Sequence, residues 1–142
     1  MHAVLYVQAA ATLFMTGLIW FVQWVHYPLF ARVGSGFEAY QVEHMRRTGF
    51  VVGPPMLAEA AAAGWIALFP PPGVPRGAAL AGLGLLAAIW ISTWLSQVPS
   101  HRRLLQSFDE TAHRRLVRSN WVRTLAWTLR SLVALWMVVQ AS

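Results

Sequence analysis

Residues 50–98 read FVVGPPMLAEAAAAGWIALFPPPGVPRGAALAGLGLLAAIWISTWLSQV. Two apolar runs, Phe50 to Phe69 and Gly77 to Val98, flank the segment Pro70-Pro71-Pro72-Gly73-Val74-Pro75-Arg76. Each run meets the roughly 20 mainly apolar residues that a helix needs to cross a bilayer. The stacked prolines between them lack backbone N–H groups, cannot continue a helix and must form a short turn. This is a membrane hairpin. Working outward, Val4 to about Phe30 and Trp121 to Ala141 have the same length and character. The first run has no positive residue ahead of it and is long for a signal-peptide core, so it reads as a retained helix. The expected fold is therefore all-α, an integral membrane four-helix bundle forming one domain over residues 1–142, with spans at about 4–30, 50–69, 77–98 and 121–141. Pro99 is expected to stop the third helix.

Composition agrees. The chain has 142 residues, 57% hydrophobic and only 11% charged, against about 25% charged in an ordinary soluble domain, too little to cover a water-facing surface. Eight tryptophans exclude a disordered chain, which is poor in aromatics. With no cysteine, disulfides, thiolate catalysis and Cys-ligated zinc or iron–sulfur centres are excluded. All eleven basic side chains are arginine, and they bracket apolar runs instead of forming a soluble basic face. That excludes nucleic acid and makes the lipid bilayer the partner. Arg32, Arg46 and Arg47 lie between spans one and two, and Arg102, Arg103, Arg114, Arg115 and Arg118 between spans three and four, whereas the opposite side holds only Arg76. The positive-inside rule then places both long loops in the cytoplasm and both termini outside. Arginine without lysine, with abundant alanine, suits a bacterial inner membrane.

The two long loops resemble each other. One carries Gln23, His26, Phe37-Glu38, His44 and Arg46-Arg47; the other carries Gln97, His101, Phe108-Asp109, His113 and Arg114-Arg115. Each half reads as helix, histidine at the helix end, amphipathic stretch, second histidine, two arginines and a returning helix, which suggests two pseudo-repeated helix pairs. The histidine separations differ, 18 residues against 12, so interfacial composition is the competing explanation.

Each span also has a polar stripe at helical spacing. Gln8, Thr12, Thr16, Gln23 and His26 mark the first span, Thr93, Gln97 and His101 the third, and Asn120, Arg123, Trp127 and Arg130 the fourth. Glu59 is the single acid of span two. Glu59 sits ten residues before Phe69, and Arg130 about as far before Ala141, so both lie near mid-bilayer, where an unpaired charge is expensive. They are expected to be partners or to share a polar cavity, as a structural pair that fixes helix register or as a working acid beside an anion-binding arginine, the remaining alternative being that backbone and hydroxyls satisfy each one independently. Arg123, near the boundary, is expected to snorkel. Gly82 and Gly84, with Ala81, Ala87 and Ala88, give span three a small-residue patch suited to close helix approach.

His26, His44, His101 and His113 fall at one membrane face, two from each half. Neutral imidazoles from facing helices can hold heme, copper or a non-heme iron, with Glu43, Gln23, Gln97 and Asn120 near enough to orient them. The competing reading is that interfacial histidines cap helix C-termini. No two are spaced i, i+3 or i, i+4, so ligands would come from separate elements. The pairs Trp20/Trp24 and Trp90/Trp94 either wall a flat hydrophobic ligand such as a quinone, polyketide or porphyrin, or belong to the interfacial aromatic belt.

The element Val98-Pro99-Ser100-His101-Arg102-Arg103-Leu104, followed by Asn120-Trp121-Val122-Arg123-Thr124, resembles the small four-span membrane proteins grouped with anthrone oxygenases. Those carry Val-Pro-x-Asn-x-x-Leu after the third span and a Trp with a nearby Arg opening the fourth; here His101 stands at the Asn position. The resemblance covers about 30 residues. It implies a four-helix membrane bundle oxidising a flat aromatic or polyketide-like substrate, with His101, Asn120 and Arg123 as the residues carried over. Taken together, these features point to a small membrane oxidoreductase or cofactor-binding protein with an inward polar cavity near the cytoplasmic leaflet. Its catalytic candidates are Glu59, Asn120, Arg123 and Arg130, its cofactor contacts Gln23, Trp94 and Gln97, and its metal-ligand candidates the four histidines. The alternatives are a non-enzymatic subunit or assembly factor of a membrane complex or homo-oligomer, and a small oligomeric transporter.

Overall fold

The computed structural model describes residues 2–142, and among them there is helix but no strand. Four helices are long and apolar enough to cross a membrane: His2–Arg32, Gly34–Leu68, Arg76–Leu104 and Glu110–Gln140. The first packs on the second and fourth, and the third on the fourth and second, an up-down-up-down square around one core. Met15, Ile19, Met56, Ile89 and Trp127 fill its middle. Leu5, Ile66, Val74 and Met137 close the end that holds the proline turn, and Tyr27, Phe30, Phe37, Leu104 and Leu116 close the histidine end.

The two long loops of the sequence reading are corrected. The amphipathic stretches are not loops but the first turns of the returning helices, which run unbroken over Phe37–Leu68 and Glu110–Gln140. At 32 and 31 residues these rods are about 46–48 Å long at 1.5 Å per residue. They therefore overshoot a hydrocarbon core of about 30 Å and carry His44 and His113 on the overshoot. Asp109 supplies the fourth helix's N-cap, accepting from the Ala112 N–H at 2.7 Å, which satisfies one of the donors a helix start leaves free.

Pro99 does not stop the third helix, which continues to Leu104. The reason lies just before it. Thr93–Gln97 is a π turn, as is Val22–His26 in the first helix, and each is followed two residues later by a proline, Pro99 or Pro28. Proline removes the N–H that would bond the carbonyl four residues back, here Leu95 or Trp24, and both carbonyls lie inside the wider π turn. Arg115 donates to the Leu95 oxygen at 3.4 Å in place of the missing donor. A π turn also inserts a residue and re-aims the side chains beyond it, here His26 and His101. The expected repeat is thus visible locally. It does not extend to the buried contacts, because Gln23 and Gln97 both reach the fourth helix instead of symmetry-related ones.

The proline turn forms as expected. Gly73 has φ +83°, and a Cβ there would run into the Gln140 carbonyl, so the turn sits directly on the end of the fourth helix and only glycine fits.

Candidate functional site

Two polar assemblies lie inside the bundle. At mid-depth, Arg130 Nε donates to Glu59 Oε1 at 2.5 Å, with side chains 1% and 0% exposed. The equal depths read from the sequence therefore meet in space. Thr12 donates to the same oxygen at 2.7 Å, and Trp127 Nε1 donates to Oε2 at 3.1 Å. Arg130 Nη1 donates to the Gly82 carbonyl, a contact that the absence of a side chain at Gly82 permits. Gly84 has no such neighbour, so the close approach expected of the small-residue patch is made at Gly82. Three helices are bonded to the fourth or to one another through this cluster.

About three turns toward the histidine end, Gln23 Oε1 accepts from Asn120 Nδ2 at 3.0 Å, and Gln23 Nε2 donates to the Val117 carbonyl. Gln97 donates to Ser119 Oγ at 2.8 Å. Arg123 does not snorkel. It is 7% exposed, lies 5.2 Å over the Trp127 ring and donates to Asn120 Oδ1 at 3.3 Å. The i, i+3, i+4 stripe of Asn120, Arg123, Trp127 and Arg130 points inward along its whole length, so the guanidinium has no outward path; the cation–π contact and Asn120 partly replace its hydration.

The second assembly is the histidine layer. His26 Nε2 and His44 Nδ1 are 2.8 Å apart. The His44 ring stacks near His101 at 5.5 Å between centroids. His101 is bonded through Nε2 to the Tyr27 hydroxyl at 3.0 Å and through Nδ1 to the Gln41 side chain at 2.8 Å. His113 stands apart, its Nε2 2.7 Å from the Tyr27 carbonyl. An N–H···N bond needs an acceptor ring with a free lone pair, so while bonded the His26–His44 pair carries at most one positive charge. Among the described residues neither His26 Nδ1 nor His44 Nε2 has a hydrogen-bond partner.

Three of the four metal candidates are thus neighbours, but their nitrogens face one another, Tyr27 and Gln41 instead of converging on a point. Among the described residues no group of three or more His, Cys, Asp or Glu side chains is placed to hold a metal ion. The four histidines therefore do not form a site with three protein ligands to one metal in this arrangement. Glu43, considered as an orienting carboxylate, instead bonds Arg46 and Arg47 on the surface. Trp94 does not line the bundle's interior: it is 59% exposed on the outside. Trp20 and Trp24 pack edge-on against Trp121, and Trp20 donates to Thr128.

The layer opens sideways. A cavity of about 210 Å³ between the first and second helices is walled by Leu18, Phe21, Val22, Val51 and Val52 and ends at His26, His44, Arg47 and Thr48. A second hollow of about 330 Å³ continues from the same polar residues past Tyr40 and Glu43. Sequence reasoning missed Tyr27, Gln41, Arg47 and Thr48. Gln41, His44 and Thr48 are spaced i, i+3, i+7 on one helix face, a signal hidden while this stretch was read as a loop.

Comparison with known proteins yields no match to any family model, curated protein or solved structure.

Proposed function

We propose that this chain is a small multi-pass membrane protein that takes a hydrophobic small molecule with a polar end from the bilayer into the cleft between its first and second helices. The His26–His44 pair then holds or moves a proton at that polar end. The observation that carries the reading is the make-up of one cleft, with apolar walls at lipid depth meeting two imidazoles at the interface. Phe21, nearly parallel to His26, favours a flat ligand. A bonded imidazole pair with a free nitrogen on each ring suits general acid–base work, since one ring takes a proton while the other keeps the first in orientation. The resemblance of Val98–Leu104 and Asn120–Thr124 to the anthrone oxygenase group supports oxidation of a flat aromatic as the reaction class. The step assigned to the pair is proton transfer alone: an acidic O–H of the ligand breaks, its proton passes to a free imidazole nitrogen, and the bond's electron pair stays on the ligand as its anion. The arginine bias supports an inner membrane with the histidine layer cytoplasmic and both termini outside.

Glu59 and Arg130 take a structural part in this reading, because every carboxylate oxygen already has donors. A second reading, a non-enzymatic subunit or assembly factor of a larger complex or homo-oligomer, is favoured by the large side chains on the outside, such as Phe50, Trp24 and Trp94.

The test uses protein in nanodiscs with a hydroxynaphthoquinone, a flat probe with an acidic hydroxyl. Wild type is expected to bind it and shift its absorption toward the anion. Val52→Trp, which fills the cleft, is expected to abolish binding, and His26→Ala to keep binding but lose the shift. Equal behaviour of wild type and both variants would sink the proposal. A metal analysis with an absorption spectrum of the same sample checks the cofactor question separately.

A further inference from the structure

The arginines at the histidine end do more than count toward orientation. A groove of about 550 Å³ lies between the last turns of the third helix and the first turns of the fourth, with Ser100, Arg102, Arg103, Gln106, Thr111 and Arg115 in its lining. A second hollow of about 360 Å³ shares Thr111 and Arg115 and adds Arg114, Arg118 and Ser119. Of these arginines, Arg114 alone has an acidic partner among the described residues, Glu110 at 2.7 Å. Arg102, Arg103, Arg115 and Arg118 have none, and all are exposed. Arg115 stands between the hollows, tethered by its bond to the Leu95 carbonyl. Leu95 is itself 66% exposed on the apolar outside, so the shared arginine sits where the lipid-facing surface meets the basic groove.

From this geometry we infer a binding site for the headgroup of an anionic phospholipid, with phosphate oxygens taken by Arg102, Arg103 and Arg115 and acyl chains lying along the Leu95 side of the third helix. Guanidinium groups match phosphate with paired N–H donors, and the exposed hydroxyl of Thr111 suits a glycerol oxygen. Basic pockets between membrane helices at the interface are suited to such headgroups. Two hollows flanking one arginine favour a lipid with two phosphodiesters over one. A free phosphate ester satisfies the same donors, but it gains nothing from the apolar surface beneath the groove, which is why the lipid is the occupant. The site is separate from the cleft between the first and second helices and does not depend on any function proposed there.

The test is native mass spectrometry of detergent-solubilised protein titrated with cardiolipin, phosphatidylglycerol, phosphatidylcholine or inorganic phosphate. Cardiolipin is expected to give a one-to-one adduct at the lowest concentration, phosphatidylglycerol next and phosphatidylcholine last. At a few-fold per interfacial charge, the triple variant Arg102→Gln/Arg103→Gln/Arg115→Gln is expected to weaken cardiolipin binding on the order of tenfold or more. Arg103→Gln alone, at an exposed position, keeps the test alive if the triple variant misfolds, and is expected to weaken binding a few-fold. Arg32→Gln/Arg46→Gln, with two charges removed elsewhere, is expected to leave the adduct unchanged. Equal binding of the zwitterionic and anionic lipids would overturn the site, as would equal loss in the control variant. Displacement of the lipid by millimolar inorganic phosphate would overturn the lipid as its occupant.

Discussion

The mid-depth cluster around Glu59 and the histidine layer around His44 are both buried polar assemblies, each joining three or more helices, and they obey the same electrostatic rules to opposite ends. Around Glu59 both carboxylate acceptors are occupied, with Thr12 and Arg130 on one oxygen and Trp127 on the other, and the buried atom left without a partner is a donor, Arg130 Nη2. Around His44 the acceptors are not all occupied: two imidazole nitrogens are free, Gln41 Oε1 is buried without a partner, and a cavity reaches the rings from the lipid side. A buried charge pair with both acceptor oxygens occupied holds one arrangement, and each of its members is costly to remove. An unsaturated network at an opening has capacity left for a ligand, and losing a member costs little. The difference separates a part that holds the bundle together from a part available for chemistry.

The comparison breaks most readily at its strong end. Glu59→Ala leaves Arg130 charged and unpaired at mid-depth and is expected to destabilise the protein by about 3–5 kcal/mol, measured by SDS titration of the detergent-solubilised protein. The double variant Glu59→Leu/Arg130→Met should recover most of that loss; if it does not, the pair contributes more than mutual neutralisation. Trp127→Phe removes one donor from the carboxylate and keeps the ring, for an expected loss of about 1–2 kcal/mol in the same titration. Gln41→Leu deletes a partner of His101 together with an unsatisfied oxygen, so its net cost is expected to stay at or under about 1 kcal/mol. Its sharper readout is ¹⁵N NMR, where His101 should change from one tautomer to a mixture. His26→Ala is expected to shift stability least, within about 1 kcal/mol, while removing the probe's anionic shift. A loss as large as that of Glu59→Ala would erase the distinction between the two assemblies. In the wild type, acidification that charges both rings must separate His26 from His44, seen as loss of the shared N–H···N signal.

Much of this was legible in the chain. Four apolar runs and a proline cluster predict the bundle, and counting residues from span ends places Glu59 and Arg130 at one depth. Trp94 and Arg123 show where such reading stops. Both sit at suggestive spacings, yet one faces outward and the other inward, because a helix's rotation about its axis depends on its neighbours. The π turns escaped notice because their hydrogen-bond register leaves no mark in hydropathy. They also explain why Pro99 and Pro28 lie inside helices.

By itself the sequence determined that this protein has four helices long and apolar enough for a bilayer and that Glu59 and Arg130 lie level along theirs, because hydrophobic length and rise per residue are properties of a single helix. Only the tertiary structure decided which groups meet. The saturation of Glu59, the inward turn of Arg123, the pairing of His26 with His44 instead of convergence on a metal, and the cleft beside them all arise between helices, where rotation, register and two π turns set distances that no one-dimensional pattern contains.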